Sequence, residues 1–182
     1  MGLILVGLDL SLTSSGIAVV ESTMPTSPTF YTEGRKGKRA ETFFERSQRI
    51  FELKNNICSH VPDFSHAIIE GPAYRAISSS TWDRAGLWHS VYRELLLKKC
   101  TISVVPPVNL KMWLAGHGGA GKQAMIMAAE KYSSKTMPND DCADAYGLAL
   151  MGLAYAKIID EPLRAKALKG VQWWDSAIEL WE

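Results

Sequence analysis

Residues 3–20 constrain the fold more than any other stretch, because they place a carboxylate at the end of an apolar strand. Residues 3–8 are almost continuously aliphatic, which is typical of a strand buried on both faces. Asp9 follows directly, and a buried carboxylate without a partner is costly. A polar turn over residues 11–16 and a second β-rich run over residues 17–20 predict a hairpin that carries Asp9 at its rim.

Three further acids stand at the ends of predicted elements. The segment AIIEGP is a short apolar strand that ends at Glu70, and its Gly-Pro pair prevents the strand from continuing. Asp141 and Asp144 begin an apolar segment at a spacing that places both on one face of a helix. An isolated Asp9 would be interpreted as a turn residue that binds nearby amides. The four acids together instead indicate a metal site.

Length and composition favour one α/β domain. A chain of 182 residues with 47% hydrophobic residues can bury one good core. It contains no apolar run of membrane-spanning length and begins without the basic segment of a signal peptide, so we expect a cytoplasmic protein of a bacterial or phage-infected cell. The odd number of cysteines, without a C-x-x-C pair, predicts buried free thiols and no zinc site.

Charge is balanced overall and clustered locally. A net charge of +1 identifies no class of partner, but basic residues concentrate at 35–39, at 98–99 and along 111–135. A nearly neutral chain can therefore still present a basic face.

The apolar periodicity predicts alternating strands and helices. Strands are expected at residues 3–10, 17–20, 29–33, 67–70 and 101–105, and helices at 40–59, 78–99, 109–114, 122–132 and 140–159. The helix over 78–99 is apolar on more than one stripe. A dimer partner and a second core layer both explain that pattern, and the sequence leaves both open.

This order resembles the ribonuclease H-like fold, and the motifs are similar to those of the RuvC family of Holliday-junction resolvases. The similar stretches are GLDLSLTSSGIAVV, AIIEGPAY and DDCADAYGLALMG, and the resemblance covers about residues 3–155. It implies an α/β, ribonuclease H-like fold with a five-stranded mixed sheet flanked by helices. The nuclease domain would span 1–160, and the Trp-containing tail 161–182 would pack on it or at an interface. Leu10-Ser11 after Asp9 and Gly71-Pro72 after Glu70 depart from the common pattern and resemble divergent phage-type members.

The resemblance also implies an activity. The family cleaves four-way DNA junctions by paired nicking as a homodimer, using two Mg²⁺ ions per site, with Mn²⁺ as a substitute. Asp9, Glu70, Asp141 and Asp144 supply oxygen ligands of the kind that Mg²⁺ prefers. Asp9 is expected to bridge both ions, while Asp141 either binds an ion or positions the attacking water. Two ions about 4 Å apart would stabilise the attacking and leaving oxygens of an in-line displacement.

Two lysines and a capping residue complete the interpretation of this region. Lys111 and Lys122 match lysine positions of the family, so Lys122 is expected to assist catalysis and both are expected to bind DNA. Asn139 and Asp140 are both good N-cap residues, and Asp140 is assigned to capping, since acids are also favoured in a first helical turn.

The glycine loop at residues 116–122 satisfies the G-x-x-x-x-G-K spacing of a P-loop. Gln123 stands where such a loop needs Ser or Thr, and the preceding segment is predicted to be helical instead of a strand. We therefore expect no nucleotide cofactor. The amides of Gly118 and Gly119 could still bind backbone phosphate beside Lys122. A plain flexible connection explains the glycines equally well.

Tyr74 and Arg75 follow the Glu70 strand, where the family places an aromatic residue near the centre of the junction. Stacking on an unpaired base is worth roughly 1–3 kcal/mol, which would help to hold an opened crossover. A surface tyrosine is an equally good interpretation of Tyr74.

Three other functions fit part of the pattern. A related nuclease could prefer flaps or forks, and a relative without activity could bind branched DNA only, although all four acids are present. A sugar-kinase or actin-like ATPase fragment also carries an Asp before a Ser/Thr/Gly turn. That fold requires a second lobe, which 182 residues do not accommodate. We therefore expect branched DNA and a second copy of the chain as partners, with no membrane.

Overall fold

The computed structural model describes residues 2–72, 80–162 and 165–173, which form a five-stranded sheet flanked by helices. The strands are β1 (Ile4–Asp9), β2 (Ser15–Glu21), β3 (Thr29–Glu33), β4 (His66–Glu70) and β5 (Thr101–Val105). The helices are α1 (Phe43–Ser59), α2 (Thr81–Leu97), α3 (Pro107–Ala115), α4 (Lys122–Glu130), α5 (Asp140–Tyr155) and α6 (Ala165–Leu168). The predicted α/β class and five-stranded mixed sheet are confirmed.

The sheet order brings two of the acids to one edge. The strands are arranged β3-β2-β1-β4-β5, with β2 antiparallel to both of its neighbours and β4 and β5 parallel to β1. Strands β1, β3, β4 and β5 therefore all end on the same side. We call this side the acidic edge, because β1 ends there at Asp9 and β4 ends there at Glu70.

Strand alternation assigns the two acids to one face of the sheet. Leu5 and Ile68 pack in the core that contains α5, whereas Leu8 packs in the core on the α1 and α2 side. Because side chains two residues apart share a face, Asp9 and Glu70 lie on the α5 face with Leu5 and Ile68.

Two glycines let α5 lie directly on the sheet. A Cβ atom at Gly7 of β1 would lie 1.8 Å from the carbonyl oxygen of Ala145, and one at Gly16 of β2 would lie 2.0 Å from that of Asp141. Glycine inside a strand is typical of such close backbone approach. Helix α5 therefore reaches the acidic edge with its first turn, which carries Asp141.

Helices α1 and α2 cover the other face and run parallel. Arg46 in the first turn of α1 pairs with Asp83 in the first turn of α2, and Lys54 pairs with Glu94 further along. A capping box formed by Thr42 and Glu45 starts α1 at Phe43, three residues later than predicted.

The additional apolar residues of α2 are used inside this fold. Trp88, Tyr92 and Leu96 pack against the core beneath α1 and α2. The structure therefore accounts for these side chains as part of a second core layer, whereas Trp82 stays 86% exposed.

The described part of the tail contacts α3 and the β5 edge. The buried Asn109 side chain donates hydrogen bonds to the carbonyl oxygens of Ala167, at 3.0 Å, and Lys169, at 2.9 Å. Gln172 forms an isolated antiparallel bridge with Val104, and the Trp173 ring stacks on Tyr155. Trp174 and Trp181 lie outside the described residues.

Two sequence expectations can be checked here. Cys58, Cys100 and Cys142 are free and buried, which confirms the prediction of unpaired thiols. Among the helices that the structure describes, none is both long enough and apolar enough to span a bilayer.

Candidate metal centre

Three elements bring the four predicted acids together at the acidic edge. Asp9 and Glu70 end neighbouring parallel strands, and their side chains share a hydrogen bond. Asp141 and Asp144 come from the start of α5 and interact electrostatically with both. Four carboxylates from distant parts of the chain thus form one partly buried acidic cluster.

Burial and mutual repulsion disfavour the charged forms of these groups. Burial raises the pKa of Asp9 well above its ordinary value, and the neighbouring Glu70 charge raises it further. Burial also raises the pKa of Glu70 to about 7, and that of Asp144 to about 7, with the Asp9 charge adding to the Asp144 shift. Without a cation, these groups therefore keep protons near neutral pH, where ordinary carboxyl groups are already ionised.

The chemistry of the donor set, rather than its present arrangement, fits a hard divalent cation. Among the described residues, no three acidic, His or Cys side chains are gathered closely enough to hold an ion as they stand. Asp9 and Glu70 bind each other through a proton, and Asp141 accepts a hydrogen bond from the Ser14 hydroxyl. Within the described part of the chain, Asp144 Oδ1 is buried and has no hydrogen-bond partner. A buried unsatisfied oxygen is costly, and an all-oxygen, anionic donor set is what Mg²⁺ and Mn²⁺ prefer.

Lys111 lies close to this cluster. Its positive charge, carried on α3, lowers the pKa of both Glu70 and Asp144, in opposition to the larger effect of burial. Lys111 therefore compensates part of the cluster's negative charge, in addition to its predicted place in DNA binding.

Lys122 lies at the rim of the cluster, paired with a different acid from those predicted as ligands. Its Nζ lies 2.5 Å from Asp140 Oδ2, and its side chain is 81% exposed. The interpretation of Asp140 as the helix cap was wrong, because the Asn139 side chain caps α5 by accepting a hydrogen bond from the Cys142 amide at 2.7 Å. Asp140 follows the cap and is free to face α4.

The glycine loop connects α3 to α4 beside the acids. Gly116 ends α3 in the left-handed region at φ +88°, where a residue without a Cβ is favoured. A Cβ at Gly118 would lie 2.5 Å from a Val108 methyl group, whereas one at Gly119 would make only an ordinary contact of 3.8 Å with His117 Nδ1. The segment before the loop is helix α3, which confirms the expectation that it is not the strand of a P-loop.

Two contacts at the site were missed in the sequence. The Ser14 hydroxyl donates to Asp141, and the Trp88 indole N–H donates to the Glu70 carbonyl oxygen at 2.8 Å. The position of Ser14 in the polar turn next to Asp9 was a usable signal. Nothing in the sequence links Trp88 to Glu70. Tyr74 and Arg75 lie outside the described residues.

The acidic cluster makes stability depend on pH in a defined direction. The pKa of Glu70 is about 7 in the fold and 4.5 in an ordinary environment, so the folded protein binds more protons than the unfolded chain between these values. In chelator, we therefore expect stability to fall as pH rises through this interval, lowering the melting temperature by several degrees. Thermal unfolding between about pH 5 and pH 8 measures this change.

The double variant Glu70→Gln/Asp144→Asn is the control for this measurement. It removes two of the groups with raised pKa, so the difference in melting temperature between it and the wild type should grow with pH. Saturating Mg²⁺ should reduce that difference at the upper end of the range, because a bound cation stabilises the ionised carboxylates. Parallel curves for both proteins in chelator would contradict the assignment.

The fold is similar to those of solved junction resolvases. The structure of Thermus thermophilus RuvC aligns with TM-score 0.65 and 17% identity over 86% of this chain and 96% of that chain. T. thermophilus RuvC in complex with Holliday junction substrate aligns with TM-score 0.63 and 20% identity over the same shares of the two chains. The yeast mitochondrial Holliday junction resolvase Ydc2 aligns with TM-score 0.57 and 13% identity over 85% of this chain and 79% of that chain.

Sequence comparison adds no relative. No family model matches the chain, and no curated protein matches it. The structural similarity confirms the predicted ribonuclease H-like fold of the RuvC type.

Proposed function

We propose that the protein is a metal-dependent endonuclease that cleaves branched DNA, with four-way junctions as its main substrate. The observation that carries the proposal is the partly buried cluster of Asp9, Glu70, Asp141 and Asp144 at the carboxyl edge of the sheet. The similarity of the fold to T. thermophilus RuvC, which has been solved in complex with a Holliday junction substrate, supports the choice of DNA.

The four acids have distinct places in the proposed reaction. Asp9, in hydrogen-bond contact with Glu70 and close to the acids of α5, would share two Mg²⁺ or Mn²⁺ ions with them. Bound divalent ions supply Lewis-acid stabilisation of the attacking water and the departing 3′ oxygen. Asp144 would offer as a ligand its buried Oδ1, which has no hydrogen-bond partner among the described residues. Ser14 holds one oxygen of Asp141, so the other can bind an ion or orient the water.

The DNA backbone is proposed to approach across the rim formed by α3, the glycine loop and α4. Lys111 and Lys122 flank this loop and would neutralise phosphates, while the amides of Gly118 and Gly119 would donate to phosphate oxygens. Tyr74 and Arg75 are proposed as further DNA contacts. Such backbone contacts position DNA by shape without reading sequence.

We further propose that the active protein is a homodimer. A four-way junction has two strands of like polarity to be cut, and a two-fold dimer would place one acidic cluster near each.

Nicking of a synthetic four-way junction tests this function directly. We expect symmetric paired nicks near the branch point in Mg²⁺ or Mn²⁺, and none in chelator, because phosphodiester hydrolysis at this cluster requires the divalent ion. Linear duplex of the same sequence is the control and should stay intact. Separation of the labelled strands on a denaturing gel measures both.

Two results would change the conclusion. Tight junction binding without cutting in either metal would assign the protein to branched-DNA binding. Faster cutting of flaps or forks in the same panel would keep the nuclease and replace its substrate.

A further inference from the structure

Three large aromatic side chains are exposed at the start of α1 and α2. Phe43 is 86% exposed, Phe44 72% and Trp82 86%. Together with the basic loop 35–39 they form what we call the N-terminal surface. Sizeable exposed apolar patches commonly mark interaction sites on a protein surface.

Ion pairs join the two helix starts that carry these aromatic residues. In the first turn of α2, Asp83 accepts from Arg46 at 2.8 Å and from Arg49 at 3.0 Å, which joins the starts of the two parallel helices. The Arg46 guanidinium also lies 5.9 Å from the centre of the Phe43 ring. The aromatic side chains therefore project from a rigid support.

The N-terminal surface carries positive charge that the fold does not use. Arg35 pairs with Glu52. The exposed side chains of Lys36, Lys38 and Arg39 form no ion pair within the described part of the chain. Of the nearby acids, Glu41 and Asp83 are each paired with an arginine, and Glu45 is held in the capping box of α1. An open cleft of about 490 Å³ beside Phe44 is lined by four cations and three carboxylates, namely Arg35, Lys36, Lys38 and Arg49 with Glu41, Glu45 and Glu52.

The surface adjoins the acidic edge. Strand β3 ends at Glu33, level with Ser15 of β2, and therefore on the same side as Asp9. The Arg35 amide then donates to the Leu12 carbonyl oxygen at 2.8 Å, so the basic loop leaves directly from the turn beside Asp9. Helix α2 likewise starts from the side on which β4 ends. A DNA strand that leaves the acidic cluster over this turn would reach the N-terminal surface on the opposite face of the sheet.

We propose that the N-terminal surface binds an unpaired DNA strand, whose bases stack on Phe43, Phe44 and Trp82 while its phosphates contact Lys36, Lys38 and Arg39. Aromatic rings within a basic surface are the combination that binds single-stranded nucleic acid. Duplex DNA cannot use the rings, because its base faces are already stacked. This inference rests on the proposed function and adds an unpaired arm to the substrate.

Binding of two labelled substrates in chelator tests the inference. One is a duplex that ends in two unpaired thymidine arms, and the other is the same duplex with blunt ends. Phe44→Ala and Trp82→Ala should each weaken binding of the splayed substrate by roughly 5- to 150-fold, the effect of losing one stacked base. Binding of the blunt duplex should stay unchanged, and fluorescence anisotropy measures both.

Phe64→Ala is the matched control. Phe64 is also 72% exposed and lies 5.7 Å from a lysine ammonium, that of Lys99, but it precedes β4 at the opposite edge of the sheet. Its replacement should leave binding of both substrates at the wild-type level. Thermal unfolding of all three variants verifies that each is folded.

Three results would overturn the inference. Unchanged binding of the splayed substrate by Phe44→Ala and Trp82→Ala would remove the stacking role and leave the nuclease proposal standing. Equal weakening of both substrates would make the surface a duplex contact. If Phe44→Ala or Trp82→Ala had a lower molar mass than the wild type in light scattering, the surface would be a contact between copies of the chain. If the wild type bound neither these substrates nor a four-way junction, the proposed function itself would fail.

Discussion

Asp9→Asn is expected to lower the rate of junction cleavage by at least about 10³-fold, which corresponds to ~4 kcal/mol of transition-state stabilisation. Asp9 shares a hydrogen bond with Glu70 and interacts electrostatically with Asp141, so under the proposed function its carboxylate would share the ions with both. Junction binding in chelator should be unchanged, because phosphate contacts at the rim do not depend on Asp9. Single-turnover cleavage and anisotropy measure the two effects separately.

Asp140→Asn supplies the matched control for this experiment. It makes the same chemical change in the same region, but Asp140 pairs with the exposed Lys122 at the rim. The variant should retain most of the cleavage rate. If Asp9→Asn cleaved junctions at the wild-type rate, Asp9 would not belong to the active site. Equal losses of cleavage rate in both variants would indicate a general effect of charge.

Gly7→Ala is expected to destabilise the fold by at least about 3 kcal/mol, or to prevent folding. The added Cβ would lie 1.8 Å from the Ala145 carbonyl oxygen and 2.9 Å from the Ala149 amide nitrogen. Both atoms belong to the backbone of α5, so no side-chain rotation relieves the overlap. The helix would have to move off the sheet, taking Asp141 and Asp144 away from Asp9. Denaturant unfolding followed by circular dichroism measures the loss.

Gly121→Ala is the control for this substitution. A Cβ at Gly121 has no atom within 4 Å, and its backbone φ of −83° suits any residue. Because Gly121 is the N-cap residue of α4, where Ala is less favourable than Gly, the loss of stability should be up to about 1 kcal/mol, well below that of Gly7→Ala. Equal stability of Gly7→Ala and the wild type would show that α5 does not lie as close to β1 as described.

Local patterns were sufficient to predict most of the elements. The predicted bounds of β3 and β5 agree with the structure, because turn residues and prolines punctuate both strands. Helix ends were less accurate, since caps rather than periodicity decide them. The Thr42 and Glu45 capping box delays α1, and α5 ends at Tyr155, four residues earlier than predicted.

Four acids at element ends and the alternation of strands with helices could be predicted from local sequence. Both properties follow from neighbouring residues, through periodicity and turn chemistry. Which groups meet could be seen in the folded domain alone. Ser14 reaches Asp141 across 127 residues, and Lys122 takes Asp140 as its partner. Such contacts depend on strand order and on the close seating of α5, which arise from packing over the whole domain and leave no local pattern.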